Sequence, residues 1–181
     1  MKLLSLGCCT AAALLLPTLA GHAEVPEAIA ATGETHVLTV HAEGAQVYEC
    51  KADASGKLSW EFREPVATLI AGGKTIGRHY AGPNWELADG SIVAAKVVGR
   101  APGASQNDIP LLKLEVTSQR GSGQLAGVTT IQRLNTKGGS AGKSCETAGA
   151  FLSVAYSADY AFHRKGHAAI GGQGGGEVGR R

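Results

Sequence analysis

Several short stretches of this chain carry an apolar residue at every second position, and that alternation points to β-strands rather than helices. Leu58, Trp60 and Phe62 alternate with Ser59, Glu61 and Arg63; Leu112, Leu114 and Val116 alternate with Lys113, Glu115 and Thr117. A period of two puts each apolar set on one face of a strand. Thr35–Val40 and Ala45–Ala52 are rich in Val, Thr and Tyr, and Glu43-Gly44 between them reads as a hairpin turn, with another turn at Asp53–Lys57. Asp89-Gly90 is the strongest turn signal, because a type I′ turn needs positive φ at both central residues and Asp-Gly tolerates it. It would join Trp85–Ala88 to Ser91–Val98, an arm apolar on both faces except at Lys96, as a central strand is. Gly127–Leu134 and Ser153–Phe162 read as further strands. Pro26–Ala31 has room for one turn of helix, and Val66–Ala71 fits either state. Short strands at regular spacing predict an all-β, single-domain antiparallel β-sandwich, with a β-barrel as the alternative.

Lys2 precedes a mostly apolar run from Leu3 to Leu19, and Ala20-Gly21-His22-Ala23 follows it. A positive charge, an apolar core and a small-residue exit match a secretory signal peptide cleaved after Ala23, with Ala20 as second choice. A retained membrane anchor is the competing reading of the same run. The expected organisation is a leader at 1–23, a β-rich domain at 24–165 and a Gly-rich tail at 166–181 with too little apolar surface to order itself. Cleavage leaves about 158 residues (181 minus 23), enough for one core. It also implies a secreted or periplasmic protein with no membrane span after signal cleavage. The formal net charge of +2 falls to about +1 without Lys2, so no basic stripe suggests a nucleic-acid partner. Cys8 and Cys9 leave with the leader, and Cys50 and Cys145 remain. Two cysteines in an exported chain most simply form a disulfide, two buried free thiols being the alternative. Structural zinc sites use close ligand pairs, so no metal is expected.

Three motifs fail on inspection. Gly73-Lys74-Thr75 resembles the end of a phosphate-binding loop, but the glycine that loop requires is Thr68 here. Gly121-Ser122-Gly123-Gln124-Leu125-Ala126 fits a loose dinucleotide fingerprint but lies between two strands, not between a strand and a helix. No Gly-x-Ser-x-Gly elbow occurs. No cofactor is expected. His36 and His41 are an odd number apart and face opposite ways in one regular strand, while His163 and His167 sit where order is expected to run out.

The segment Arg78–Glu86 stands apart: it gathers a titratable ring, two large aromatics, an amide and charges around Gly82-Pro83. Aromatics supply contact area and a few polar groups fix orientation, so His79, Tyr80, Asn84 and Trp85 are the candidate ligand-binding residues. The ligand would be a small polar molecule such as a sugar, or an envelope component. The bland alternative is that Trp85 and Tyr80 are core aromatics and His79 is hydrogen-bonded locally. The function expected is an exported, non-catalytic binding or envelope-associated domain. The enzymatic alternative is a hydrolase or metal-dependent enzyme using His79 as base with Glu86 or Asp89 orienting it. No catalytic residue is assigned, and whether the chain is an enzyme stays open. A third reading, a structural surface protein, requires no cleft.

Val47-Tyr48-Glu49-Cys50, Trp60-Glu61-Phe62, Gly77–Trp85, Asp89-Gly90-Ser91, Ile109-Pro110-Leu111-Leu112, Ile131–Thr136 with Gly138-Gly139, and Tyr156–Tyr160 together resemble the DUF3455 family. The resemblance runs from about Val25 to Phe162. It implies one domain in a secreted or envelope-associated protein. Cys50 and Cys145 match the family's cysteine positions, which implies their pairing. Gly142 stands where the family has proline. The resemblance carries over no catalytic residue.

Overall fold

The computed structural model describes residues 25–166, so the leader expected at 1–23 and all but the first residue of the tail expected at 166–181 lie outside the described residues. One turn of 3-10 helix (Glu27–Ile29) precedes eight strands: β1 (Glu34–Ala52), β2 (Leu58–Ala71), β3 (Lys74–Tyr80), β4 (Asn84–Leu87), β5 (Ile92–Ala101), β6 (Leu111–Arg120), β7 (Thr130–Gly138) and β8 (Phe151–Lys165). Each strand pairs antiparallel with the next, and β8 returns to pair with β1, closing one sheet into a barrel. The all-β antiparallel expectation holds. Its closure is the barrel named as the alternative, in place of the sandwich put first.

The reason lies in β1. It pairs with β8 from Glu34 to Glu49 but with β2 only from His41 to Ala52. That offset is the stagger a sheet needs to tilt its strands and close. Every strand then has a neighbour on both sides, although β2 before Ala67 and β5 after Ala94 run past the short β3–β4 hairpin with a partner on one side only.

β1 also corrects the hairpin expected at Glu43-Gly44. Those residues lie mid-strand, opposite Thr68 and Ala67 on one side and Ser157 and Tyr156 on the other. Gly44 is there for proximity: a Cβ on it would stand 2.1 Å from the Val66 carbonyl oxygen and 2.6 Å from Ala67 Cα. Asp89-Gly90 does turn the chain between β4 and β5, but by another geometry. Gly90 has φ +83°, and Asp89 is absent from the positive-φ residues. The Leu87 N–H bonds the Ser91 carbonyl across Ala88, Asp89 and Gly90. That is a three-residue loop with glycine in the left-handed position, not a type I′ turn. Asp89 Oδ1 accepts the Ser91 N–H at 2.9 Å and Oδ2 accepts the Gln124 N–H at 2.7 Å, fixing the β6–β7 connection.

Leu69, Leu114, Ile131 and Phe162 form the barrel's inner packing, with Leu125 and Val128 of the β6–β7 connection buried in the same cluster. These two residues close that end. Outside, the Ile29 carbonyl accepts a 2.6 Å bond from Gln132 Nε2 and the Ala30 carbonyl one of 2.7 Å from Lys113 Nζ, which straps the N-terminal turn to the wall. Cys50 and Cys145 form a disulfide with Cα atoms 5.9 Å apart, joining the end of β1 to the β7–β8 connection. Closing a loop with a sequence separation of 95 contributes about 4 to 5 kcal/mol in the chain-entropy model. Among the described residues no helix is long and apolar enough to cross a membrane.

Candidate functional site

The β3–β4 hairpin sorts the four candidate residues by parity. His79 pairs with Trp85 and Tyr80 with Asn84. Side chains alternate across a strand, so the first pair faces one way and the second the other. His79 and Trp85 point into the barrel and are 3% and 1% exposed. Tyr80 points out, where its hydroxyl donates to Glu86 Oε2 at 2.9 Å. Arg78 Nη2 donates to the same oxygen at 2.9 Å, so three side chains of the segment form an outer cluster. Asn84 turns its amide back on the hairpin to the Ala81 carbonyl.

Inside, the His79 ring stacks on Trp85 with centroids 4.3 Å apart and lies edge-on to Tyr160 at 5.0 Å. Its Nδ1 donates to the Asn84 carbonyl at 2.8 Å, which fixes the tautomer and leaves Nε2 as the lone-pair nitrogen. Burial lowers the His79 pKa from 6.5 to about 3, outweighing the opposing pull of the Asn84 carbonyl, so the ring is neutral at ordinary pH. Glu86 and Asp89, the expected orienting carboxylates, are engaged elsewhere: Glu86 with Arg78 and Tyr80, Asp89 with Ser91 and Gln124. The structure brings neither to His79.

His79 and Trp85 line a cavity of about 380 Å³. Its lining includes Tyr48 and Phe62 of the first two strands, Gly82 and Pro83 of the β3–β4 turn, and Ile109 and Pro110 before β6. The mouth therefore lies at the end opposite Leu125 and Val128. That volume is in the lower part of the range that holds small organic ligands. Leu112, Leu114 and Ile109 make much of the wall apolar. Its polar side chains include Gln46 on β1, Tyr160 on β8 and Arg133 on β7, three adjacent strands. Arg133 sits opposite Leu112 on one side and Tyr160 on the other, both buried, so its register position is an inward one. Its Nε donates to the Pro110 carbonyl at 3.0 Å. Burial raises the Tyr160 pKa and the nearby Arg133 guanidinium opposes that shift, so the hydroxyl stays protonated.

Two buried donors in this wall have no protein partner: Trp85 Nε1 and Gln46 Nε2. Gln46 is 2% exposed, and its amide stands beside the Tyr156 hydroxyl without bonding it well. Buried donors are seldom left unpaired, because each costs about 1 to 3 kcal/mol.

Gln46, Arg133 and Tyr160 were not singled out as site residues from the sequence. In the run Ile131-Gln132-Arg133-Leu134 the apolar residues have opposite parities, so alternation gives no direction for Arg133. Among the described residues no group of three or more His, Cys, Asp or Glu side chains is placed to hold a metal ion.

The family model described as "Protein of unknown function (DUF3455)" matches residues 30–75 and 70–164. No curated protein and no solved structure matches the chain. The family match spans the barrel from the residues before β1 almost to the end of β8, and the chain belongs to the DUF3455 family.

Proposed function

We propose that this chain is an exported, non-catalytic binding protein that takes a small molecule into the interior of its barrel. The observation that carries the reading is the cavity of about 380 Å³, whose wall sets His79, Gln46, Arg133 and Tyr160 among apolar side chains. Of the four residues named from sequence, His79 and Trp85 would meet the ligand directly. Asn84 would act through the carbonyl that holds His79, and Tyr80 would steady the hairpin from outside.

Export is supported by the disulfide, since such bridges persist in oxidising compartments. The outer wall carries ion pairs such as Arg78–Glu86 at 2.9 Å and Lys96–Glu115 at 3.4 Å, the reverse of the apolar outer band of a membrane barrel. Binding is favoured over hydrolysis because His79 has no carboxylate beside it and desolvation makes its ring a weak base. A purely structural surface protein has no use for a cavity of this kind.

Titration with phenylnaphthylamine, a neutral fluorophore that brightens in apolar surroundings, tests the reading. The dye should bind the oxidised protein at one site. Leu114→Trp, which fills the cavity, and Val97→Trp at its rim should each weaken that binding by about tenfold or more while the fold melts cooperatively. Undiminished binding in both variants would place the dye elsewhere and defeat the reading.

A further inference from the structure

We infer that the ligand of this cavity is an amphipathic organic anion, its acidic head held by Arg133 and its apolar body lying against Leu112, Leu114 and Trp85. The inference rests on the reading of the cavity as the binding site and adds the ligand's chemistry.

Arg133 is half-buried at an inward register position, where a guanidinium is partly desolvated and a carboxylate partner would be favourable. Among the described residues Arg133 has no carboxylate within ion-pair distance, and no Asp or Glu lines the cavity. Arg100, also in the lining, has no such partner either. Arg63, the third arginine of the lining, differs: it pairs with Glu64 at 3.2 Å and lies over the Phe151 ring. With Nε bonded to the Pro110 carbonyl and the guanidinium also against the Tyr160 hydroxyl, Arg133 still has N–H groups to spare among its five for a second partner.

The charged side chains of the lining are all of one sign: Arg63, Arg100 and Arg133. The lining has neutral acceptors, His79 Nε2 and Gln46 Oε1 among them, but no carboxylate to balance its arginines. A sugar is neutral and would leave the Arg133 charge without a counter-charge. A carboxylate, sulfonate or phosphate head brings acceptors only and matches a guanidinium fork. The apolar wall and the half-exposed Phe62 and Val97 at the rim give the ligand's body its surface.

The test compares two dyes that differ by one charge: anilinonaphthalene sulfonate and the neutral phenylnaphthylamine. The oxidised wild type should bind the sulfonate at least about tenfold more tightly. Arg133→Gln should abolish that preference and leave the neutral dye within about twofold. Arg133→Lys should keep part of the preference, because the charge stays while the fork is lost. Arg100→Gln, a change at an exposed position, should weaken the sulfonate by a few-fold without disturbing the fold. A wild type that binds both dyes equally, or sulfonate binding untouched by the Arg133 and Arg100 variants, would overturn the anion inference while leaving the cavity as a site. Binding of neither dye, or binding of both that survives Leu114→Trp and Val97→Trp, would overturn the cavity reading itself.

Discussion

His79 shows how a single parity step decides what a side chain can do. One position along, it would join Arg78 and Glu86 in water; where it stands, it stacks on Trp85 and is neutral. Its folded pKa of about 3 lies below the ordinary 6.5, so between those values the unfolded chain binds the extra proton. Its contribution is therefore complete above 6.5 and is lost as pH falls toward 3. Between pH 7 and pH 5 the loss amounts to about 2 kcal/mol. His163 is lowered in the same sense, mainly by burial. His41 runs the other way: its bonds to Asp159 and then Glu43 raise its pKa, so its support is present at low pH and fades as pH rises through the raised value. That pair is substantially exposed, and solvent keeps its effect small. His79→Phe keeps a ring against Trp85 and removes the titration. Urea unfolding at pH 7 and pH 5 should show the wild type losing more stability than the variant, by about 2 kcal/mol. Equal losses in the two proteins would contradict a buried neutral His79. The sequence made the segment conspicuous by composition. It did not show that His79 pairs with Trp85 and Tyr80 with Asn84, because register depends on the turn between them.

At the level of elements, alternation located most strands, including the buried Leu112 and Leu114 of β6, and the turns at Asp53–Lys57 and Asp89-Gly90. It split β1 in two, because glycine beside glutamate reads the same whether the chain turns or a neighbour presses close. Only the position of β2 distinguishes the cases, and that is a tertiary fact. Gly44→Ala should therefore cost about 3 kcal/mol in chemical denaturation, the scale of overpacking against backbone that cannot retreat. A turn glycine without positive φ would accept alanine readily. A loss below about 0.5 kcal/mol would show that β2 does not approach as closely as described.

For the whole molecule, sandwich and barrel share the same strand pattern, and what separates them is the stagger of β1 between β2 and β8. Closure also creates the site, since Gln46, His79, Trp85, Arg133 and Tyr160 come from five strands and meet only inside. No local motif could announce that meeting. The family match identifies the chain without supplying a ligand, so the account stands on where a bound molecule sits. The direct measurement is two-dimensional NMR of nitrogen-labelled, oxidised protein titrated with anilinonaphthalene sulfonate, with Trp60→Phe used to assign the remaining indole signal to Trp85. The account predicts that the Trp85 indole N–H and the Gln46 side-chain amide shift together and saturably, while the Asn84 side-chain amide on the outer face stays in place. Movement of the Asn84 amide with a still Trp85 indole would put the ligand on the outside of the hairpin and contradict an interior binding site.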